Sequence, residues 1–205
     1  YTLDGSEPTA ASPRYTGPVE IGKSARFRAT ALREGGENAS YSREFAFSKS
    51  TGRPAVLNTK PNDSYTFEGA SLLVDGYHSR PVFTSGAWLG YLDEPLDVTI
   101  DMGGEQSYRS VELETLAEKG DWIFPPSSVT VWVSDNGTDF TEVASVTVPE
   151  AKVGDADGIG RYRMQFPETS ARYLKVVAQN AAAIPAWHPG AGSKGFLFVD
   201  EVVVE

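Results

Sequence analysis

The chain has 205 residues, a formal net charge of −10 and no cysteine. With that charge and no basic run to displace counterions from a phosphate backbone, nucleic acid is excluded as a partner. The missing cysteines remove disulfides, thiol nucleophiles and thiolate metal sites together, and no apolar stretch approaches the roughly 20 residues that cross a bilayer as a helix.

The chain opens with YTLDGSEPT, Tyr1 to Thr9, followed after a short spacer by YTGPVEI, Tyr15 to Ile21. This predicts a strand, a turn at Asp4-Gly5, a loop restrained by Pro8, Pro13 and Pro18, and then a strand pair. The first strand stands without the one it should pair with, so the chain is expected to be a piece of a larger protein whose activity lies upstream. Ala25, Phe27, Ala29 and Ala31 alternate with Arg26, Arg28 and Thr30, as in a half-buried strand. The cluster Glu34-Gly35-Gly36-Glu37-Asn38 predicts a turn, and Tyr41, Arg43, Phe45 and Phe47 share a face of the next strand, with Arg43 discordant there. The polar run Ser48 to Pro54 predicts a flexible linker. The expected units are residues 1–50, a small β-module truncated at its N-terminus, and residues 51–205.

Period-two alternation dominates from Ala55 onward: Leu96, Val98, Ile100; Val111, Leu113; Val129, Val131, Val133; Tyr162, Met164, Phe166; Leu174, Val176, Ala178; and the run Phe196 to Val204. Asn136-Gly137, between the third of these strands and the run Phe140 to Val148, predicts a hairpin. No segment of ten residues carries a 3.6 period, so no helix longer than about three turns is expected. The fold class is all-β, a small sandwich-type module followed by a β-sandwich or jelly roll.

The opening stretch resembles the C-terminal β-module of chitobiases and β-hexosaminidases over about the first 48 positions. From about Pro54 the chain resembles the discoidin fold, the coagulation factor 5/8 C-terminal type domain. The pieces that carry this are LVDG (Leu73–Gly76), WLGY (Trp88–Tyr91), VTIDMG (Val98–Gly103), VWVSDNGTDF (Val131–Phe140), RYLKV (Arg172–Val176) and FVDEVVV (Phe198–Val204). The pairing of the two, with IPAWHPGAGSKGFLFVDE at Ile184 to Glu201, resembles the C-terminal end of bacterial β-N-acetylhexosaminidases. The resemblance implies an accessory region of an exported bacterial enzyme, periplasmic or extracellular. Its implied partners are the upstream catalytic domain and a glycan containing N-acetylhexosamine or galactose.

No catalytic arrangement emerges. Asp200-Glu201 and Asp93-Glu94 are adjacent acid pairs, but neighbours on a strand face opposite sides and cannot converge on one glycosidic oxygen. Neither His78 nor His188 accompanies a nucleophile elbow. Sugar binding needs an exposed aromatic against the apolar face of a pyranose. Trp122, in the loop Gly120 to Ile123, is a candidate, as are Trp187 and His188 in the long loop before the last strand, with Tyr91 as a further contributor. The alternative reading is that Trp187 plugs the end of the jelly roll and His188 ties the loop together. Trp88 is expected in the core, and Trp132 on the outer face of its sheet. The discoidin resemblance also implies a structural Ca²⁺ held by Asp75 and Glu201, with carbonyls of Leu72 and Tyr77 as further ligands; the alternative is an Asp-Gly turn beside a hydrogen-bonded Glu. Asp155-Ala156-Asp157-Gly158 looks calcium-like but lacks the downstream Glu of an EF-hand loop and is expected to be a solvated turn. The expected role is weak glycan binding that holds an enzyme near its substrate, or else a purely architectural domain packed on the catalytic one.

Overall fold

The structure is a computed structural model that describes residues 1–31 and 39–205; the turn expected at Glu34 to Asn38 lies outside the described residues. Strands β1 (Ala25–Ala31) and β2 (Ala39–Phe45) pair antiparallel, with Phe27 opposite Arg43. Phe27 stacks on Tyr1 at 5.8 Å and meets Tyr41 edge-on at 6.2 Å. This register explains the discordant arginine, because the Arg43 guanidinium leaves the small sheet and lies 3.5 Å from the centroid of the Tyr77 ring. The opening stretch makes two isolated bridges, Thr2 to Arg28 and Asp4 to Arg26, instead of a strand. Its turn is nevertheless present: Gly5 sits at φ 83°, and Asp4 Oδ1 accepts the Ser6 N–H at 2.9 Å. Tyr15 to Ile21 forms no strand.

The remaining strands are β3 (Ala55–Leu57), β4 (Leu89–Tyr91), β5 (Leu96–Ala117), β6 (Ser128–Ser134), β7 (Thr141–Thr147), β8 (Gly158–Gln179) and β9 (Leu197–Val204). All their pairings are antiparallel. The alternating runs at 96–101 and 111–114, and those at 162–166 and 174–178, look like four strands in sequence but belong to two, β5 and β8, of 22 residues each. Register shifts at Asp101/Gln106 and Tyr108/Ser110, beside Gly103 at φ 79°, bend the pair. The first half of β5 therefore joins β3 and the second half of β8, which continues to β6 and β7. The second half of β5 joins the first half of β8, then β9 and β4. Leu96, Val98, Ile100, Val131, Leu174 and Val176 from one layer share a single apolar core with Val111, Leu113, Met164, Val199, Val202 and Val204 from the other. The result is a sandwich of two layers.

Among the described residues the helical segments are 3-10 turns of three to five residues, and none is long and apolar enough to cross a membrane. The hairpin signal corresponds to β6 and β7 but closes with a longer loop. Asn136 Oδ1 accepts the N–H groups of Thr138 and Asp139, both at 2.9 Å, while Gly137 takes φ 76°. The expected flexible linker is instead sealed to the last strand. Lys49 N–H donates to the Val204 carbonyl at 3.0 Å, and Ser50, fully buried, donates its hydroxyl to the Val202 carbonyl. The two serines that suggest flexibility in sequence complete an edge of β9 here, Ser50 as a donor and Ser48 Oγ as the acceptor of the Val204 N–H at 3.2 Å.

Candidate functional site

At one end of the sandwich the segment after β5 turns back on itself and meets the long loop before β9. Glu118 and Ile123 bridge one another, and Ile123 bridges Phe196. Trp122, between them, takes φ 64°, a left-handed conformation that costs a bulky residue on the order of 1–3 kcal/mol. It is held there by two backbone bonds, its N–H to the Lys119 carbonyl at 3.0 Å and its carbonyl accepting the Phe196 N–H at 2.8 Å. The indole lies over Gly190, where a Cβ would come within 2.8 Å of the ring, so this position requires glycine. Trp122 remains 42% exposed. An outer aromatic is thus presented to solvent at the cost of backbone strain.

His188 stands edge-on between the two indoles, 6.1 Å from Trp122 and 5.6 Å from Trp187. Its Nδ1 accepts the Gly190 N–H at 3.0 Å, which places the proton on Nε2, and Nε2–H donates to the Lys119 carbonyl at 2.9 Å. Both ring nitrogens are committed, so His188 ties the loop together and does not offer a nitrogen to a sugar hydroxyl. Trp187 is 38% exposed; its Nε1–H donates to the Ala151 carbonyl at 3.0 Å, and its ring leans on Phe124 at 6.5 Å. Beside it opens a cavity of about 380 Å³ lined by Phe124, Pro126, Val148, Pro149, Ala183 and Ile184. The loop behind Trp122 is anchored by Lys119, whose ammonium pairs with Asp157 and whose N–H donates to the same carboxylate at 3.1 Å.

The structure brings Trp122, Trp187 and His188 together but leaves Tyr91 out. Tyr91 lies in β4 and is fully buried in the main core, because β4 is an inner-facing strand against β9, so it reaches no ligand there. Trp88 is fully buried, donating its Nε1–H to the Arg80 carbonyl at 2.9 Å, and Trp132 is half-buried opposite Lys175. Phe124, Pro126, Pro149 and the Ala181–Ala183 run were not picked out as site residues by sequence. The run of small residues was legible, but the pocket it frames depends on how three separate loops meet.

A second cluster lies on β9 and the loop after residue 73. Asp200 and Glu201 are both buried. Asp200 accepts the Ser79 N–H at 2.7 Å and its hydroxyl at 3.1 Å, and burial pushes its carboxyl up to about 7 despite these bonds. Glu201 Oε2 accepts the Gly76 N–H at 3.3 Å, while Oε1 is buried without a partner. Burial, reinforced by the charges of Asp75 and Asp200, pushes Glu201 up to about 10. Asp75 is exposed and accepts the Tyr77 N–H at 2.7 Å. Glu114, also fully buried, faces His78 Nδ1 at 2.7 Å and Arg161; the bond to Glu114 holds His78 above its ordinary value against burial. The orphaned Glu201 oxygen fits a hard cation, for which oxygen donors are required. Among the described residues, however, no three His, Cys, Asp or Glu side chains converge as a metal cluster, so carbonyls such as those of Leu72 and Tyr77 would have to complete the set. At Asp155, Oδ2 accepts the Lys152 N–H at 2.7 Å, as in an ordinary turn.

The F5/8 type C domain model matches residues 58–194, and the chitobiase/beta-hexosaminidase C-terminal domain model matches residues 1–43. No curated protein matches the chain. Similar solved structures include CpGH89CBM32-5 from Clostridium perfringens, in complex with GalNAc-β-1,3-galactose, at 17% identity and TM-score 0.49, covering 74% of this chain and 93% of that one. Chitosan-binding module 2 of a chitosanase/glucanase from Paenibacillus sp. IK-5, in complex with chitotriose, is 18% identical at TM-score 0.49, covering 77% and 98%. A Streptococcus pneumoniae fucose binding module is 22% identical at TM-score 0.47, covering 77% and 94%.

Proposed function

We propose a binding role for this chain from the premise that it belongs to the F5/8 type C domain family, with a chitobiase/β-hexosaminidase C-terminal type stretch ahead of that domain. Both are accessory types of domain, not catalytic ones. The proposed ligand is a glycan, taken at the end of the sandwich that carries Trp122 and Trp187. The observation that carries this reading is Trp122: a bulky aromatic held in a strained backbone conformation and left 42% exposed above Gly190. A strained conformation retained at one position points to a functional demand there, and an exposed indole face is what a pyranose stacks on. With one shallow stack and few hydrogen bonds the dissociation constant is expected to be on the order of 0.1–1 mM. Such weak binding gains its effect by tethering a neighbouring catalytic domain to its substrate. In this reading the whole protein is an exported bacterial glycoside hydrolase of β-N-acetylhexosaminidase type.

A glycan array on the chain, followed by titration of the best ligand against Trp187→Ala, tests the proposal. Loss of binding with a melting temperature changed by only a few degrees is the expected result. A second reading, an architectural domain packed on the enzyme, draws on the Trp187 indole N–H bonded to Ala151, which suits a plug. If Trp187→Ala costs several kcal/mol of stability and the array is blank, that reading prevails.

We further propose that Ca²⁺ is held at Glu201 and Asp75, with carbonyls of Leu72 and Tyr77. The support is the orphaned Glu201 oxygen, and the ion's part would be structural.

A further inference from the structure

A different surface carries a charge that the chain as a whole does not have. Between the small sheet and the sandwich two adjoining clefts of about 420 and 470 Å³ share Arg28, Ser42, Tyr77 and Arg80, a size in the range of small-ligand pockets. The rest of the molecule is acidic, at a formal −10, so an arginine-lined cleft is a local reversal of sign. Arg28 is partly satisfied, by Glu7 at 2.5 Å and by the Gly5 carbonyl at 3.4 Å. Arg26, nearby, is paired with Glu44 at 3.2 Å. Arg80 differs: it is exposed, and among the described residues its guanidinium has neither an acidic partner nor a hydrogen bond. Its backbone is fixed all the same, because its carbonyl accepts both the buried Trp88 indole N–H at 2.9 Å and the Val82 N–H at 2.7 Å. The opposite wall is also stiff. Arg43 lies on the Tyr77 ring, Phe45 bridges Tyr77, and the Ala46 N–H donates to the Gly76 carbonyl at 2.8 Å.

We propose that this cleft is an anion site for an acidic saccharide, with the Arg80 fork receiving a carboxylate or sulfate oxygen pair and Arg28, although shared with Glu7, offering further N–H donors beside it. A guanidinium matches such a pair of oxygens in bidentate geometry. The saccharide follows from the remaining lining, the hydroxyls of Ser42 and Tyr77 and the exposed Tyr41, which suit a hydroxylated ring better than a bare ion. The site is separate from the indole end and does not depend on it.

The test is calorimetric titration of the whole chain with methyl β-glucuronide and with methyl β-glucoside, which differ by a carboxylate in place of a hydroxymethyl group. The glucuronide is expected to bind at least about tenfold more tightly, to weaken as sodium chloride is raised from 50 to 500 mM, and to lose its advantage in Arg80→Ala. Arg80→Lys should restore only part of it, since the ammonium keeps the charge but not the fork. Equal affinity for the two sugars, or an unchanged glucuronide affinity in Arg80→Ala at an unchanged melting temperature, overturns the proposal. Inorganic sulfate binding as tightly as the glucuronide overturns the saccharide assignment, and a polyglutamate peptide binding more tightly shows a polypeptide-docking surface instead. Trp187→Ala is expected to leave the glucuronide titration unchanged, so failure here and failure at the indole end are read separately.

Discussion

The indole end and the buried acid cluster treat polar groups in opposite ways. Around Trp122 and Trp187 the polar atoms are matched, with His188 using both nitrogens and the Trp187 N–H finding a carbonyl, while apolar surface is left facing water. Around Glu201 the apolar surface is buried and a carboxylate oxygen has no partner. The first region has a vacancy that a ligand's apolar face can fill from outside. The second has one that only a proton or a cation can fill from within. Exposure of one kind of group and burial of the other thus separate the proposed recognition surface from the proposed structural site within one sandwich.

The largest effect expected is at the boundary between exposed and buried aromatics. Phe124→Ala, at a residue 2% exposed, should cost about 3–5 kcal/mol and lower the melting temperature by about 6–20 °C. Trp122→Ala should abolish glycan binding while moving the melting temperature far less, since an indole 42% exposed gives up less packing than a buried ring. Equal destabilisation by the two would erase the distinction between platform and core.

The acid cluster gives the next largest effect, through pH. Asp200 and Glu201 have folded values, about 7 and about 10, above their ordinary ones, so folding favours their protonated forms. That contribution is complete below about pH 4 and is lost as pH rises through those folded values. His78, also raised, contributes below its folded value and acts in the same direction. Without added metal the melting temperature should therefore fall by several degrees between pH 5 and pH 9, and Glu201→Gln should flatten much of that slope in differential scanning calorimetry. A slope of the opposite sign removes the buried neutral acid from the comparison.

A smaller effect distinguishes proton from cation. If calcium occupies the cluster, saturating Ca²⁺ should raise the melting temperature at pH 8 by a few degrees through mass action, and chelation should reverse it. Glu201→Gln should abolish the response; a response that survives this change places the ion elsewhere. The smallest effect is expected at Asp155, whose carboxylate closes an exposed turn with Lys152. Asp155→Ala should shift neither the calcium response nor the melting temperature by more than about 1 °C, an exposed turn bond being worth well under 1 kcal/mol.

The fold was legible wherever one face of a strand is buried and the other wet, as in Leu96, Val98 and Ile100 or Val129, Val131 and Val133, because alternation is the direct imprint of that geometry. Continuity was not legible: nothing in the spacing says that the runs on either side of Gly103 belong to one strand, since bulges are set by pairing with a distant partner. The same limit governs the site. Trp122, Trp187 and His188 could be named from loop context and aromatic chemistry, but a side chain's free valences depend on its neighbours. So His188 proved to be committed at both nitrogens, and Tyr91 proved to belong to the core. Ser48 and Ser50 misled for the same reason, because a hydroxyl beside an unfilled strand edge can donate to its carbonyls or accept from its N–H groups.

The two bent strands have a mechanical meaning. Because β5 and β8 each run through both layers, the layers are joined by two continuous strands, their pairing interrupted only at the bulges, as well as by loops and apolar contact. Neither layer can be peeled away without tearing hydrogen bonds in the other, so the sandwich should come apart in one concerted step, with amide protons on both halves of β5 exchanging at the same slow rate. Loops at either end can therefore be lengthened or strained, as the one carrying Trp122 is, without the deformation spreading into the frame.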